Sequence, residues 1–273
     1  MSLSERVVFM SGGSRGIGLA IAKRLARDGA RVALLAKTAE PHPKLPGTIY
    51  TAAEEIEAEG GEALPIVGDV RDADQVSAAV AQAVERWGRI DIVVNNASAI
   101  NLSPMRDLEV KRYDLMQQIN ARGTFVVTKA CLPHLRESDH AHVVTLSPPL
   151  SADPQWLRGN SAYTLSKMGM TMLTLGLAAD EEGIAANCLW PRTIIATAAV
   201  QNLLGGDATM ARARTPEIMG DAAHAILVRD PRDATGRCFI DDEALAEAGI
   251  TDLSGYSEPD ADLALDLFVE DWT

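Results

Sequence analysis

Ser11-Gly12-Gly13-Ser14-Arg15-Gly16-Ile17-Gly18 follows directly on the apolar run Val7–Met10 and leads into a helical stretch over 18–28. Glycines at 12, 16 and 18 suit a strand-to-helix turn where backbone passes close to a pyrophosphate, with the amides of a helix N-terminus facing the anion. The spacing is G-x-x-x-G-x-G, not the commoner G-x-G-x-x-G. Glycine turns also join strands to helices without any ligand. The place of this one, between first strand and first helix, is what favours a nucleotide.

Residues 12–16 also satisfy G-x-S-x-G, the nucleophile elbow of a hydrolase, which normally follows a central strand and needs an acid and a histidine downstream. Here the turn follows the first strand, and the only late histidine, His224, lies in a helix-like segment. Ser14 is therefore rejected as a nucleophile.

Outward from the turn, short runs rich in Val, Ile and Leu recur at Val7–Met10, Val32–Ala36, Ala63–Val67, Ile90–Val94, His142–Leu146, Ala185–Trp190 and Cys238–Ile240. They alternate little, as expected of strands buried on both faces of a parallel sheet. Helical stretches lie between them. In 72–87, Val76, Ala79, Val80, Ala83, Val84 and Trp87 fall on one face. The pattern predicts an α/β fold, a Rossmann-type doubly wound parallel sheet of about seven strands with helices on both faces. The Pro-rich stretch 40–47 reads as a loop after the second strand. No linker or repeat divides the chain, so one domain over 1–240 is expected.

The formal charge is −13, from 25 Lys+Arg against 38 Asp+Glu. Such acidity disfavours nucleic acid and anionic membrane as partners. The last 33 residues hold 11 of the acids and no Lys or Arg, so the first 240 carry 27 acids against 25 basic residues. Residues 241–273 form an acidic extension in which Leu253, Tyr256, Leu263, Leu265, Leu267, Phe268 and Trp272 interleave with the acids, a mixture expected to pack on its own or a neighbouring subunit. Cys131, Cys188 and Cys238 lie far apart with no metal-ligand spacing, so neither a disulfide framework nor a metal site is expected. With no apolar run of spanning length and a strand pattern from the start, no membrane segment or signal peptide is expected, and a cytoplasmic location is.

Tyr163 and Lys167 stand four residues apart on a predicted helix and share a face. A tyrosine near its ordinary pKa is a poor acid–base group at neutrality. A neighbouring ammonium stabilises phenolate and makes proton exchange with an alcohol or carbonyl oxygen feasible. Together with the glycine turn, this pair resembles the short-chain dehydrogenase/reductase family over residues 5 to about 240. In that resemblance Asp69-Val70 matches the adenine-contacting position and Asn95-Asn96-Ala97 the motif that braces the sheet and lines the cofactor. Asn120 matches the helix asparagine holding a relay water near the lysine. Residues 37–50, Ser147-Pro148-Pro149 and Leu189-Trp190-Pro191 look more narrowly like the hydroxysteroid dehydrogenase-like subgroup. Its longer members carry a C-terminal sterol-carrier domain, which is expected to be missing here.

The resemblance implies a catalytic set of Tyr163, Lys167, Asn120 and a serine. That serine is either Ser147, modestly favoured, or Ser151, because Leu150 stands thirteen residues before the tyrosine and the prolines disturb the alignment. The implied cofactor-binding set is Gly12, Ser14, Arg15, Gly16, Ile17, Gly18, Lys37, Asp69, Val70, Asn96, Ala97, Tyr163, Lys167, Pro191 and Thr193, with Thr197 as alternative to Thr193. NAD-preferring members hold the ribose hydroxyl with an acid at the end of strand two. Here that position is Ala36, so Arg15 and Lys37 can meet a 2′-phosphate with no carboxylate to repel it, and NADP(H) is expected. Ser98 and Arg192 depart from the family's usual glycines.

Hydride transfer between cofactor and an alcohol or carbonyl carbon is the expected reaction, with Tyr163 exchanging the proton. The alternative is an NADP(H)-binding redox sensor or scaffold with little catalysis. A lid over 192–219, with Ile194, Ile195, Leu203, Leu204, Met210 and Met219 and a Gly205-Gly206 hinge, suggests a hydrophobic small-molecule substrate. Arg212 and Arg214 either meet an acidic group or are solvated. The helix running on from Lys167 is apolar nearly all round and suggests a homodimer or homotetramer.

Overall fold

A computed structural model describes residues 2–41, 47–203 and 205–270. Of the sequence expectations, residues 42–46 of the Pro-rich loop, Leu204, the side chain of Leu203, and Trp272 lie outside the described residues. In chain order the elements are β1 (Val7–Ser11), α1 (Gly16–Ala26), β2 (Arg31–Ala36), α2 (Ile49–Ala58), β3 (Glu62–Val67), α3 (Ala73–Trp87) and β4 (Ile92–Asn95). Next come α4 (Val110–Ile119), α5 (Ala121–Leu135), β5 (Ala141–Leu146), α6 (Pro154–Leu157), α7 (Ser161–Asp180) and β6 (Ile184–Trp190). The last are α8 (Ala198–Leu203), α9 (Asp207–Met210), α10 (Glu217–Leu227), β7 (Cys238–Ile240) and α11 (Asp241–Glu247). The strands form one parallel sheet in the order β3-β2-β1-β4-β5-β6-β7.

Side-chain alternation divides the core into two layers. Val8, Met10, Val32, Leu34, Val94 and Val144 point to the face covered by α1, α2, α10 and α11. Val7, Phe9, Ala33, Leu35, Val93 and Val143 point to the other, covered by α3, α5 and the end of α7. Strands packed on both sides need apolar residues at every position, which explains the unbroken runs. Helix ends follow local chemistry. Asp72 caps α3 through the amides of Asp74 and Gln75, and Gly88 ends it at φ +79°. Ile90, expected in the fourth strand, precedes it. Asp91, fully buried, accepts from Val7 N at 2.9 Å and from Arg89, fixing the edge where the strand begins.

Candidate active site and cofactor cleft

Strand order reverses between β1 and β4, and the loops leaving their carboxyl ends open a cleft there, as doubly wound sheets do. Gly12 has φ +78°, and a Cβ on it would lie 2.7 Å from the Cα of Ala97. Asn96 Nδ2 donates to Gly12 O at 2.7 Å and so ties the two loops together. A Cβ on Gly18 would lie 2.5 Å from that same amide nitrogen. Gly18 is thus required by packing beneath the turn and does not line the cleft. Arg15, the N-cap of α1, has extended backbone and makes no side-chain cap bond to the first-turn amides.

A cavity of about 580 Å³ fills the cleft. Of the expected cofactor residues, Gly12, Ser14, Arg15, Gly16, Ile17, Lys37, Asp69, Val70, Asn96 and Ala97 line it, joined by Ala36, Thr38, Gly68, Ser98, Ile119, Thr197 and Asn202. Gly18, Tyr163, Lys167, Pro191 and Thr193 do not. Thr197, left open against Thr193 in the sequence, faces the cavity beside Gly16. Thr193 is fully buried, and its hydroxyl has no partner among the described residues.

One expectation at the far end of the cavity needs correction. Lys37 is not clear of carboxylates, because its Nζ lies 3.3 Å from Asp69 Oδ2 across the β2–β3 edge. Asp69 is also clasped by Arg71 at 2.6 Å, and this pairing holds its carboxyl well below the usual range. Arg15 donates to Gly47 O at 2.9 Å. Arg15 and Lys37 therefore line the cleft together with Ala36, and Arg71 helps to neutralise the one carboxylate there, Asp69. The glycine cradle and this cationic surplus fit a phosphorylated dinucleotide.

Asn120 sits where α4 breaks into α5. Its Oδ1 accepts from Ala99 N at 2.7 Å, and its Nδ2 donates to Ala99 O at 3.0 Å and to Ser166 Oγ at 2.8 Å. Ser166 in turn donates to Tyr163 O at 2.8 Å. The asparagine side chain thus clamps the loop after β4 to the turn of α7 that carries Tyr163 and Lys167. Ser166, a residue sequence reasoning passed over, is the link. Spacing alone offered the signal: it stands three residues after the tyrosine.

Lys167 Nζ donates to Leu146 O and lies 5.0 Å from the centre of the Trp190 ring. Burial pushes its ammonium down to about 7, against the pull of Asp266. Burial also pushes the Tyr163 phenol up, with Asp266 adding to the effect. The sequence expectation that the lysine would depress the tyrosine is not what the structure displays: both groups are driven toward their neutral forms. Ser147 is fully buried, its Oγ hydrogen-bonded to Thr171 Oγ1 at 2.9 Å. Ser151 is half-buried in the following loop, accepting from Asp153 N.

The acidic extension folds back onto this end of the molecule. Ile194 N donates to Ala264 O at 3.0 Å, Asp266 N to Arg192 O at 2.9 Å, and Trp190 Nε1 to Leu267 O at 2.7 Å. Arg192, 3% exposed, binds Asp242 at 2.5 Å and Glu243 at 2.6 Å, while its amide donates to Asp241. Arg212 pairs with Asp262 at 3.1 Å, and Arg214, also buried, lies 3.8 Å from Asp242. Both arginines meet the extension's acids, Arg212 at the exposed surface and Arg214 in a buried position. In the expected lid, Ile195 and Met219 belong to the main core. His224 binds Arg24 on α1 and Asp28 in the turn after it, which removes it from any triad with Ser14.

No helix among the described residues is long and apolar enough to cross a membrane, and no cluster of His, Cys, Asp or Glu there could hold a metal ion. The sequence profile described as short chain dehydrogenase matches residues 6–206. Hydroxysteroid dehydrogenase-like protein 2 of Xenopus tropicalis is 53% identical over 271 residues, 98% of this chain and 64% of that protein. The chain thus spans just under two thirds of that relative's length. The crystal structure of a short chain dehydrogenase from Mycobacterium thermoresistibile matches with a TM-score of 0.93 at 57% identity, covering 98% of this chain and 96% of that one. A blue fluorescent protein from a metagenomic library, solved in complex with NADPH, matches with a TM-score of 0.75 at 29% identity, over 90% of this chain and all of that one. The chain belongs to the short-chain dehydrogenase/reductase family, in the company of the hydroxysteroid dehydrogenase-like protein 2 relatives.

Proposed function

We propose that the protein is an NADP(H)-dependent oxidoreductase that interconverts an alcohol and a carbonyl on an apolar small molecule, with Tyr163 exchanging the proton. The observation that carries this reading is the clamp of Asn120 and Ser166. It fixes Tyr163 and Lys167, one turn apart on α7, against the loop that also lines the cofactor cleft. When bound, NADP(H) supplies or accepts the hydride. Gly12, Ser14, Gly16, Ile17, Asn96 and Ala97 would hold its pyrophosphate and adjoining riboses, Asp69 and Val70 its adenine, and Pro191 with Thr193 or Thr197 its nicotinamide end. Arg15 and Lys37, with Arg71 beside them, would meet the 2′-phosphate. The NADPH complex of the metagenomic relative supports this choice.

Burial keeps Tyr163 a phenol, a proton donor suited to the reductive direction. Lys167 orients the site and replaces the proton that Tyr163 gives up, and Asn120 supports that replacement by holding α7 in register. The hydroxyl that polarises the carbonyl we assign to Ser151 in preference to Ser147, because the Ser147 hydroxyl is fully enclosed against Thr171. Titration of the purified protein with NADPH and NADH tests the cofactor: tighter NADH overturns it. Tyr163→Phe is expected to bind NADPH normally and lose carbonyl reduction, and undiminished turnover overturns the chemistry.

A redox sensor or scaffold is the second reading, favoured by the enclosed Ser147 and by the near-complete burial of Tyr163. A panel of aldehydes and ketones followed at the nicotinamide absorbance separates the two. For assembly we propose a homodimer through the outer face of α5 and α7. Phe125 and Met172 are exposed there beside a groove also lined by Leu132, Leu173 and Leu177. Light scattering of wild type and Met172→Glu tests it, and two monomers of equal mass would refute it.

A further inference from the structure

The cavity of the cleft stops short of Tyr163, and what stands at the catalytic end is the chain's own tail. Phe268 is 6% exposed, with its ring centroid 5.8 Å from Trp156, 5.8 Å from Trp190 and 6.4 Å from Tyr163, inclined only 30° to the tyrosine ring. The chain has only four Phe, four Trp and four Tyr, and four of these aromatics converge here. Phe268 also has φ +72°, a conformation costly for a bulky side chain and one that persists only where its surroundings enforce it, typically at functional sites. The enforcement is visible on its N-terminal side. Trp190 Nε1 holds Leu267 O, and the amide of Leu267 is turned onto Asp266 Oδ1 at 2.7 Å.

Resting on the reading of Tyr163 as the proton-exchanging group, we propose that the space between Trp156 and Trp190 is the subsite for the substrate body. A flat, uncharged ring system takes the berth of Phe268 there, while Phe268 closes it between turnovers. Flat rings suit a slot bounded by indoles, where offset-stacked and edge contacts are both satisfied. An uncharged body suits this slot, because three aromatic rings wall it and the face of Trp190 is already taken up by Lys167 Nζ at 5.0 Å, which leaves no ring face free for a cationic group. Withdrawal of Phe268 also loosens the lid, because residues 264–266 are paired with 192–194 through Ala264 O, the Thr193–Leu265 bridge and Arg192 O.

The test uses the full chain with saturating NADPH, comparing wild type, Phe268→Ala and Phe268→Leu on a bicyclic aryl aldehyde and on propionaldehyde. Removing the ring is expected to raise the ratio of the propionaldehyde KM to the bicyclic KM by about tenfold, with Leu intermediate. A second arm needs no turnover: 2-naphthol titrated by calorimetry is expected to bind about tenfold more tightly to Phe268→Ala than to wild type. An unchanged KM ratio together with unchanged naphthol affinity overturns the berth, even if both aldehydes are reduced. Tighter naphthol binding with neither aldehyde reduced by any variant sustains the berth and overturns the oxidoreductase reading. Should Phe268→Ala fail to fold, the Leu variant carries both arms.

Discussion

Lys167 should cost the protein stability, and the size of that cost can be worked from its surroundings. The side chain is 2% exposed, and burial brings its ammonium from 10.5 to about 7. At about 1.4 kcal/mol for each tenfold change in proton affinity, the buried charge costs on the order of 5 kcal/mol at and below neutral pH. Lys167→Met keeps the stem's packing and removes the charge, but strands the Leu146 carbonyl, a loss of about 1–3 kcal/mol. The net expectation is a gain of about 2–4 kcal/mol at pH 7, a rise in Tm of very roughly 5–10 °C for a chain of this size. Because the folded pKa is the depressed one, the penalty is complete below about 7 and fades as pH rises toward 10.5, where the unfolded lysine loses its proton too. The variant's advantage should therefore shrink by about 3 kcal/mol between pH 7 and 9.5. Asp266, pushed up to about 7, acts in the opposite sense: its cost grows from pH 3.8 to about 7 and is level above. Comparison above neutrality thus isolates the lysine. Urea unfolding of both proteins at pH 7, 8 and 9.5 provides the numbers. A variant less stable than wild type at pH 7, or an advantage that stays constant with pH, would refute the reasoning.

Further expectations concern the two loops and the extension. Gly12→Ala places a Cβ 2.7 Å from a backbone atom at φ +78°, a conformation that alone costs an L-residue about 1–2 kcal/mol; NADPH binding should weaken at least a hundredfold by calorimetry while far-UV circular dichroism is retained. Ser147→Ala should lower stability by about 1 kcal/mol with little effect on turnover, whereas Ser151→Ala should lower kcat/KM tenfold or more; steady-state kinetics showing the reverse would return the role to Ser147. Arg192→Met removes the guanidinium partner of Asp242 and Glu243, and a loss of about 2–4 kcal/mol together with faster proteolysis within 241–270 is expected. Equal resistance to protease in that variant would mean that the ion pairs do not hold the extension.

The sheet was legible because its strands are buried on both faces and so read as unbroken apolar runs, and because the glycine turn marks where the first strand ends. The cleft was legible through residues close in sequence to those turns. What escaped notice depends on pairings between distant segments. Lys37 and Asp69 are 32 residues apart and meet only because β2 and β3 are neighbours. The extension shows no period, and its place is hidden because Arg192 reads only as a departure from a family glycine, and Arg212 and Arg214 as solvated or substrate-facing, until their partners among its acids are seen. Alignment of β5 puts Pro148 at the position of the catalytic hydroxyl, which leaves Ser147 and Ser151 as candidates on either side. The direction of the Ser147 side chain, inward against Thr171, is set by sheet geometry that spacing does not encode.

The return of the extension to the catalytic end also governs what any added segment would experience. Phe268 lies on Tyr163, and Glu270 follows only two residues later, with Gln155 within 3.4 Å of its carboxylate. A segment fused after Glu270 would start two residues from the ring that lies on Tyr163. A carrier module joined there by a short flexible linker would hold its cargo at millimolar effective concentration beside the tyrosine, with no contact surface required for delivery. An affinity tag in the same position would crowd the same doorway, so fusions to the amino end are the sounder choice for measuring activity.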